Sequence, residues 1–427
     1  MLDIGRLLLQ ILIILAASRA VGGVFRAIGQ PKVVGEMFAG IFLGPSLLGW
    51  FAPKVSAVIF PAASLGYLNT LSQIGLVIFM FLVGMNINPN ELKSQGHAAV
   101  LASHASISFP FVLAALFSLY LYPRLAEENV SFASFGLFMG TAMSITAFPV
   151  LARILAERKM LQSRIGTIAV ACAAVDDVTG WCILGYVVFL IRSAHDSTSF
   201  RLLLGGTLLF VLAMIFGVRK LVGNFERAYR KHGSMSENQL VLLFLLTLGS
   251  ALCTEWMGIH PLFGAFLLGA VMPKEPRFVA YVSERLHAIV ILLLPLFFAF
   301  TGLRTSVHLI KGSEMWTYCA LIVLVATVGK FGGSALASQL CGMPLRESLA
   351  LGILMNTRGL MELVVLNIGL EIHVISPTLF SMMVIMALVT TFMTTPLLAW
   401  TCSEKTVQVA NEIPEKAQAI CRGGSAA

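Results

Sequence analysis

Thirteen apolar runs decide what this chain can fold into. They lie at about 5–28, 33–50, 66–86, 97–122, 131–156, 163–192, 200–222, 238–257, 260–273, 286–305, 316–341, 346–370 and 376–402, separated by short stretches of charge, proline or glycine. A helix needs roughly twenty apolar residues to cross the hydrocarbon of a bilayer. The runs therefore imply an all-α integral membrane protein with about 13 transmembrane helices. Composition agrees: 58% of residues are hydrophobic, 12% are charged and the mean hydropathy is +0.88. The 427 residues thus read as one many-span bundle and not as a string of soluble domains. The run at about 260–273 is short and meets Pro261 at its start, which fits a re-entrant piece or half of a broken helix.

The formal net charge of +8 does not point to nucleic acid, because the basic residues sit in clusters between apolar runs instead of lining one face with aromatics. They alternate from side to side. With the runs threaded through a membrane, 19 of the 29 Lys and Arg fall on one side and 7 on the other, while Arg19, Lys330 and Arg358 lie inside runs. The positive-inside rule then puts the amino terminus outside and the carboxyl terminus in the cytoplasm of a multi-pass cell (inner) membrane protein. No small-residue cleavage site follows a short apolar core near the amino terminus, so the first run is expected to stay as a span. The seven cysteines are scattered, without a CxxC pair, and read as small buried apolar residues. The polar tail 403–427 is too short and too charged to fold alone.

An odd number of spans fits six, one linking span near 200–222, and six more, so that the second half runs opposite to the first. This is the inverted-repeat plan of many secondary transporters, in which interrupted spans at matching positions meet near the midplane. Such a pair is present. SITAFP, Ser144 to Pro149, interrupts the fifth run, and NTRG, Asn356 to Gly359, interrupts the twelfth, the fifth of its half. Proline within a span removes a backbone hydrogen bond, and the surrounding polar residues suit backbone that has left helical geometry beside a cavity.

The run TIAVACAAVDDVTGWCILGYVVFL carries Asp176 and Asp177 near its middle. Even the mildest scales assign about 2.5–3.5 kcal/mol to one charge at that depth, so a carboxylate there marks function. Adjacent helical residues point about 100° apart, which favours a division of labour: one aspartate lines an aqueous cavity while the other faces a neighbouring helix. Lys330 is a third intramembrane charge, set among Gly329, Gly332, Gly333 and Ser334, small residues that permit close packing. Burial and a carboxylate partner act on a lysine in opposite directions, so a Lys–Asp pair in a membrane holds a proton that can be tuned. Arg358 and Glu362 lie one helical turn apart and are able to neutralise each other, as a structural or a gating pair.

Six stretches in combination, GEMFAGIFLGPSLLG (35–49), FMFLVGMNINP (79–89), AVDDVTGW (174–181), IHPLFGAFLLGAVMP (259–273), LLPLFFAFTGLRT (293–305) and NTRGLMELVVLNIGL (356–370), resemble the monovalent cation:proton antiporter superfamily. The likeness is to the branch with Kef-type potassium-efflux systems and plant cation/proton exchangers, and it covers nearly the whole chain. It implies two inverted repeats, with crossed broken helices in a core domain plus a dimerisation domain. On this chain the dimerisation domain would be 1–96 and 238–311, the core 97–192 and 312–402, the linker helix 193–237 and the cytoplasmic tail 403–427. The resemblance further implies that Asp177 is the principal carrier of cation and proton, the metal position, and that Asp176 pairs with Lys330. Thr146 and Asn356 would supply oxygens or cap helix ends in the two crossing stretches, with Ser144 a lesser candidate. Many members of that branch have Asn or Gln where this chain has Asp176, whereas the Asp-Asp pair resembles electrogenic bacterial sodium/proton antiporters.

The expected function is secondary active exchange of Na+ or K+ for protons by alternating access, electrogenic, with a Kef-type potassium efflux system lacking its regulatory domain as the alternative. No cofactor is implied beyond the transported ions. The expected partners are monovalent cations, protons, membrane lipid and a second copy in a homodimer, with no nucleic acid. Two other classes fit less well. An intramembrane hydrolase needs two carboxylates that share one water, which neighbours on one helix do not easily do, and no HExxH motif offers a zinc route. A passive channel commonly needs a ring or filter repeat, and none is present.

Overall fold

The computed structural model describes residues 4–86, 96–128, 130–158, 160, 163–193, 197–257 and 260–401; the tail expected at 403–427 lies outside the described residues. Every described regular element is helical. Hydrocarbon offers no partner to backbone N–H and C=O groups, so a spanning segment must satisfy them internally, and a helix does so within one segment.

In chain order the first helices are α1 (Ile4–Ala27), α2 (Lys32–Leu43), α3 (Leu48–Phe51), α4 (Pro53–Ile59) and α5 (Ala62–Asn86). Next come α6 (Gly96–Leu125), α7 (Phe132–Ser144), α8 (Phe148–Glu157), α9 (Arg164–Ser193) and α10 (Ser197–Leu212). A π-helical turn, Ala213–Val218, leads into α11 (Arg219–His232), followed by α12 (Glu237–Trp256), α13 (Pro261–Val271) and α14 (Pro276–Arg304). A second π turn, Val328–Gly332, joins α15 (Gly312–Thr327) to α16 (Gly333–Leu340). The chain continues through α17 (Leu345–Met355), α18 (Leu360–Glu371) and α19 (Pro377–Thr401).

Among the described residues ten helices are long and apolar enough to cross a membrane, which makes this a multi-pass membrane protein. They coincide with ten of the thirteen apolar runs. The run at 131–156 is broken into α7 and α8, the run at 346–370 into α17 and α18, and the short run at 260–273 is α13, eleven residues long. Two helices extend beyond their apolar cores. α14 begins at Pro276, not near 286, because Glu275 caps it by accepting from the Phe278 amide at 2.6 Å and the added turns carry Arg277, Glu284 and Arg285. α11 runs to His232 on a polar face that hydropathy alone does not reveal. Cysteine burial also departs from expectation. Cys172 and Cys319 are buried but Cys182 and Cys253 are exposed, at no cost where the surroundings are lipid as apolar as a protein core.

The chain divides into two compact units. The first comprises Met1–Val21, Glu36–Asn90 and Trp181–Thr305. Within it α5 is held very close to α13: a Cβ added to Gly84 would overlap the Phe266 carbonyl, and one added to Gly269 would overlap that of Phe81. Such backbone approach supplies dispersion and carbonyl contacts where lipid removes the hydrophobic drive for helices to associate. The adjoining ends of these two helices are tied by Lys274, whose ammonium donates to the carbonyls of Gly84 (2.8 Å), Met85 (3.1 Å) and Gly269 (2.9 Å). The second unit comprises Gly22–Gly35, Glu91–Gly180 and Ser306–Ala427. It contains every intramembrane charge singled out in the sequence except Arg19.

Candidate functional site

The second unit is organised around two interrupted helices. α7 stops at Ser144 and α8 starts at Phe148; α17 stops at Met355 and α18 starts at Leu360. The two breaks touch through main chain. The Ala147 amide donates to the Thr357 carbonyl at 3.1 Å, and the Thr146 hydroxyl reaches the Met355 carbonyl at 3.0 Å. Two helix C-termini, with unpaired carbonyls and partial negative charge, and two N-termini, with the opposite polarity, thus meet inside the unit.

Each C-terminus is answered by donors. Lys330 donates to the Ser144 carbonyl in a short contact and to the Ser106 carbonyl at 2.9 Å. Arg358 donates from one terminal nitrogen to Met143 at 2.6 Å and from the other to Ala142 at 3.2 Å, so that two cations cover the end of α7. Thr146 covers the end of α17. Lys330 lies in the π turn, where the change of helical pitch and the small neighbours Gly329 and Gly333, packed against Pro110 and Phe109 of α6, leave room for its side chain.

Asp176 and Asp177 are both fully buried on α9, yet their surroundings differ sharply. Asp176 is saturated. Oδ1 accepts from the hydroxyls of Ser103 (3.0 Å) and Ser106 (2.9 Å); Oδ2 accepts from Ser106 (2.8 Å), Thr146 (2.9 Å) and the Lys330 ammonium (2.7 Å). The Lys330 and Asp176 side chains are each 0% exposed, and the pair is satisfied on both sides, as a buried ion pair must be to persist. Asp177 has no such support: among the described residues neither of its carboxyl oxygens has a hydrogen-bond partner.

The remaining sequence candidates are close by in the fold. Arg358 and Glu362 form a buried pair at 2.9 Å, with Glu362 in the first turn of α18 where the helix dipole favours an acid. Arg358 is also locked to α19, where the Thr391 hydroxyl donates to its carbonyl and accepts from its amide. Asn356 is buried at the end of α17 and its Oδ1 has no partner among the described residues. The Ser144 hydroxyl turns back to the Thr141 carbonyl, so this residue meets Lys330 through its main chain only. Thr146 meets Asp176 and not Asp177. Sequence reasoning missed Ser103 and Ser106, the two hydroxyls that complete the shell of Asp176. Their signal was a pair of serines three apart in the apolar run ASHASISFP, a spacing that puts both on one helix face.

Comparison with known proteins places the chain in a family. The family described as sodium/hydrogen exchanger, transmembrane, matches residues 12–402. The chain is 41% identical over 393 residues to the Na(+)/H(+) antiporter NhaS4 of Synechocystis, covering 92% of this chain and 96% of that protein. It is 42% identical to Cation/H(+) antiporter 17 of Arabidopsis thaliana and 31% identical to K(+)/H(+) antiporter 1 of Saccharomyces cerevisiae, but spans only 48% and 46% of their lengths. The solved structure of the sodium proton antiporter MjNhaP1 from Methanocaldococcus jannaschii superposes with a TM-score of 0.63 over 94% of this chain and 99% of that one, at 14% identity, a likeness of fold. The chain, matched over nearly its whole length, belongs to the sodium/hydrogen exchanger family.

Proposed function

We propose that this protein exchanges a monovalent cation, Na+ or K+, for protons by alternating access, with Asp177 as the group that carries either one. Cation/proton exchange is the activity for which the family and its antiporter relatives are named. The observation that carries the assignment to Asp177 is the contrast between the two neighbours: among the described residues four donor groups contact Asp176 and none contacts Asp177. A bare carboxylate buried without donors is strongly unfavourable. A proton relieves it, and so does an alkali cation, and the two compete for the same oxygens. Competition of this kind is the simplest form of exchange.

Asp176 and Lys330 hold the second proton in this reading. Transport is electrogenic if the ammonium gives up its proton when Asp177 takes its ion. Asn356, whose Oδ1 is unpaired at the end of α17, is a further oxygen for the cation. By family resemblance, residues 97–192 and 312–402 form the moving core, and 1–96 with 238–311 the part through which two copies pair. Proteoliposomes containing a pH-sensitive dye test the reading. Added Na+ or K+ should release the quench between about pH 6 and 9, where shifted carboxylates and lysines titrate, and Asp177→Asn should abolish the response. With the membrane potential clamped, Asp176→Asn should retain exchange with altered charge movement. A silent wild-type protein across all alkali cations, or a fully active Asp177→Asn, would refute the assignment.

A further inference from the structure

The second unit contains a cavity lined by none of the residues assigned above to ion exchange. It has a volume of about 410 Å³ and is lined by Arg26, Gly29, Pro31, Ile154, Arg158 and Thr395. Three parts of the fold build it: the last turn of α1 with the loop that follows, the end of α8, and α19. They are pinned together. Pro396 cannot donate to the Phe392 carbonyl four residues earlier, and Gln30 from the α1–α2 loop supplies the missing donor at 3.2 Å, while the Phe25 ring packs edge-on against Phe392 at 6.5 Å.

The lining is rich in donors and short of acceptors. Both arginines are exposed, and among the described residues neither has an acidic partner. Thr395 is only 5% exposed and its Oγ1 has no partner among the described residues. That is unusual on this helix, because the hydroxyls of Thr390, Thr391, Thr394 and Thr401 all close onto main-chain carbonyls. Two guanidinium forks and an unsatisfied hydroxyl suit an anion with several oxygens, phosphate above all. Beside the arginine, Val24 and Ile28 leave apolar surface 61% and 60% exposed. A free phosphate ion would use the donors and ignore that surface; a lipid would use both. The face in question is also the one that charge alternation assigns to the cytoplasm, where anionic headgroups attract basic residues.

We propose that this cavity binds the phosphate of an anionic glycerophospholipid, with Arg26 and Arg158 on its charged oxygens and Thr395 on a further one. The site is coupled to transport by position. α8 carries Ile154 at the cavity, with Arg158 just past its end, and begins at Phe148, two residues after Thr146, whose hydroxyl contacts Asp176. A lipid seated there braces one of the two interrupted helices.

The test uses the purified full chain in a neutral detergent and follows thermal unfolding with added dioleoylphosphatidylglycerol, dioleoylphosphatidylcholine or inorganic phosphate. Phosphatidylglycerol should raise the midpoint by several degrees and the other two should leave it unchanged. Arg26→Gln with Arg158→Gln should unfold at the same midpoint without lipid and lose the increment, and the corresponding double Lys variant should keep part of it. Should the Gln pair fail to fold, Thr395→Val serves instead, with retained lipid counted by native mass spectrometry and expected to fall. An undiminished increment in the Gln pair, undiminished lipid retention in Thr395→Val, or an equal increment with inorganic phosphate, overturns the proposal. The midpoint does not register ion exchange, so failure here leaves the antiport reading standing, and the reverse also holds.

Discussion

Replacing Lys330 with methionine isolates the ion pair at the crossing of the broken helices. The substitution keeps an apolar stem of similar length but removes an ammonium that donates to Asp176 Oδ2 at 2.7 Å, to the Ser106 carbonyl at 2.9 Å and to the Ser144 carbonyl. Asp176 retains three hydroxyl partners, so its carboxylate is not stripped, but it is left buried at 0% exposure without a countercharge. Removing one partner of a buried pair costs about 3–5 kcal/mol, which is roughly a hundredfold to several thousandfold in the unfolding equilibrium. Lys330→Met combined with Asp176→Asn removes the stranded charge as well and should recover more than half of that loss, a coupling of about 2 kcal/mol or more. Unfolding by sodium dodecyl sulfate in mixed micelles, followed by tryptophan fluorescence, measures all four corners of the cycle. A loss below about 1 kcal/mol for Lys330→Met, the value of an exposed pair, or a double variant no more stable than the single one, would show that the two groups are not coupled as described.

Other substitutions separate support from transport. Asp177→Asn should be at least as stable as wild type in the same assay, because no hydrogen bond among the described residues is lost and an unpaired buried charge is removed, even though exchange disappears; a large destabilisation would mean that its oxygens are bonded after all. Ser103→Ala removes donation to Asp176 at 3.0 Å and should cost about 1.5–3 kcal/mol, the range for a hydrogen bond to a charged group, while leaving a protein that still exchanges ions. Lys274, in the loop between α13 and α14, is pulled from 10.5 down to about 7 by burial and then by the charge of Arg219. Between those values the unfolded chain binds this proton and the folded one does not, so the penalty is full below about pH 7 and fades as the pH rises. The unfolding midpoint should therefore climb between pH 7 and 10 in wild type relative to Lys274→Met, and a parallel pH profile for the two would contradict the buried lysine.

What the sequence made legible follows from how membranes constrain chains. Ten crossing helices were readable because hydrocarbon demands long uninterrupted apolar stretches, and the breaks near Ile145 and Thr357 were readable because polar residues at that depth are costly enough to be deliberate. Lys330 and Asp176 announced themselves as charges in apolar runs, but their pairing rested on family resemblance, since sequence spacing says nothing about contacts 154 residues apart. Ser103 and Ser106 escaped because serine is cheap in a span, its hydroxyl usually closing onto its own helix. The direction of Ser144, whose carbonyl and not its hydroxyl faces Lys330, depends on where α7 unwinds, a tertiary fact. The π turn at Val328–Gly332 likewise leaves no trace beyond its glycines.

The ionic make-up of the crossing bears on which ions the protein tolerates. Among the described residues the buried charged groups there are Lys330 and Arg358 on one side of the balance and Asp176, Asp177 and Glu362 on the other. With Lys330 protonated one negative charge is left over, and in the proposed role of Asp177 a hydron or an alkali ion there cancels it. Calcium or magnesium would overshoot, leaving a positive surplus in a medium that cannot screen it. In the form of the proposed cycle in which Lys330 keeps its proton, valence is sieved by neutrality before ionic radius has any say.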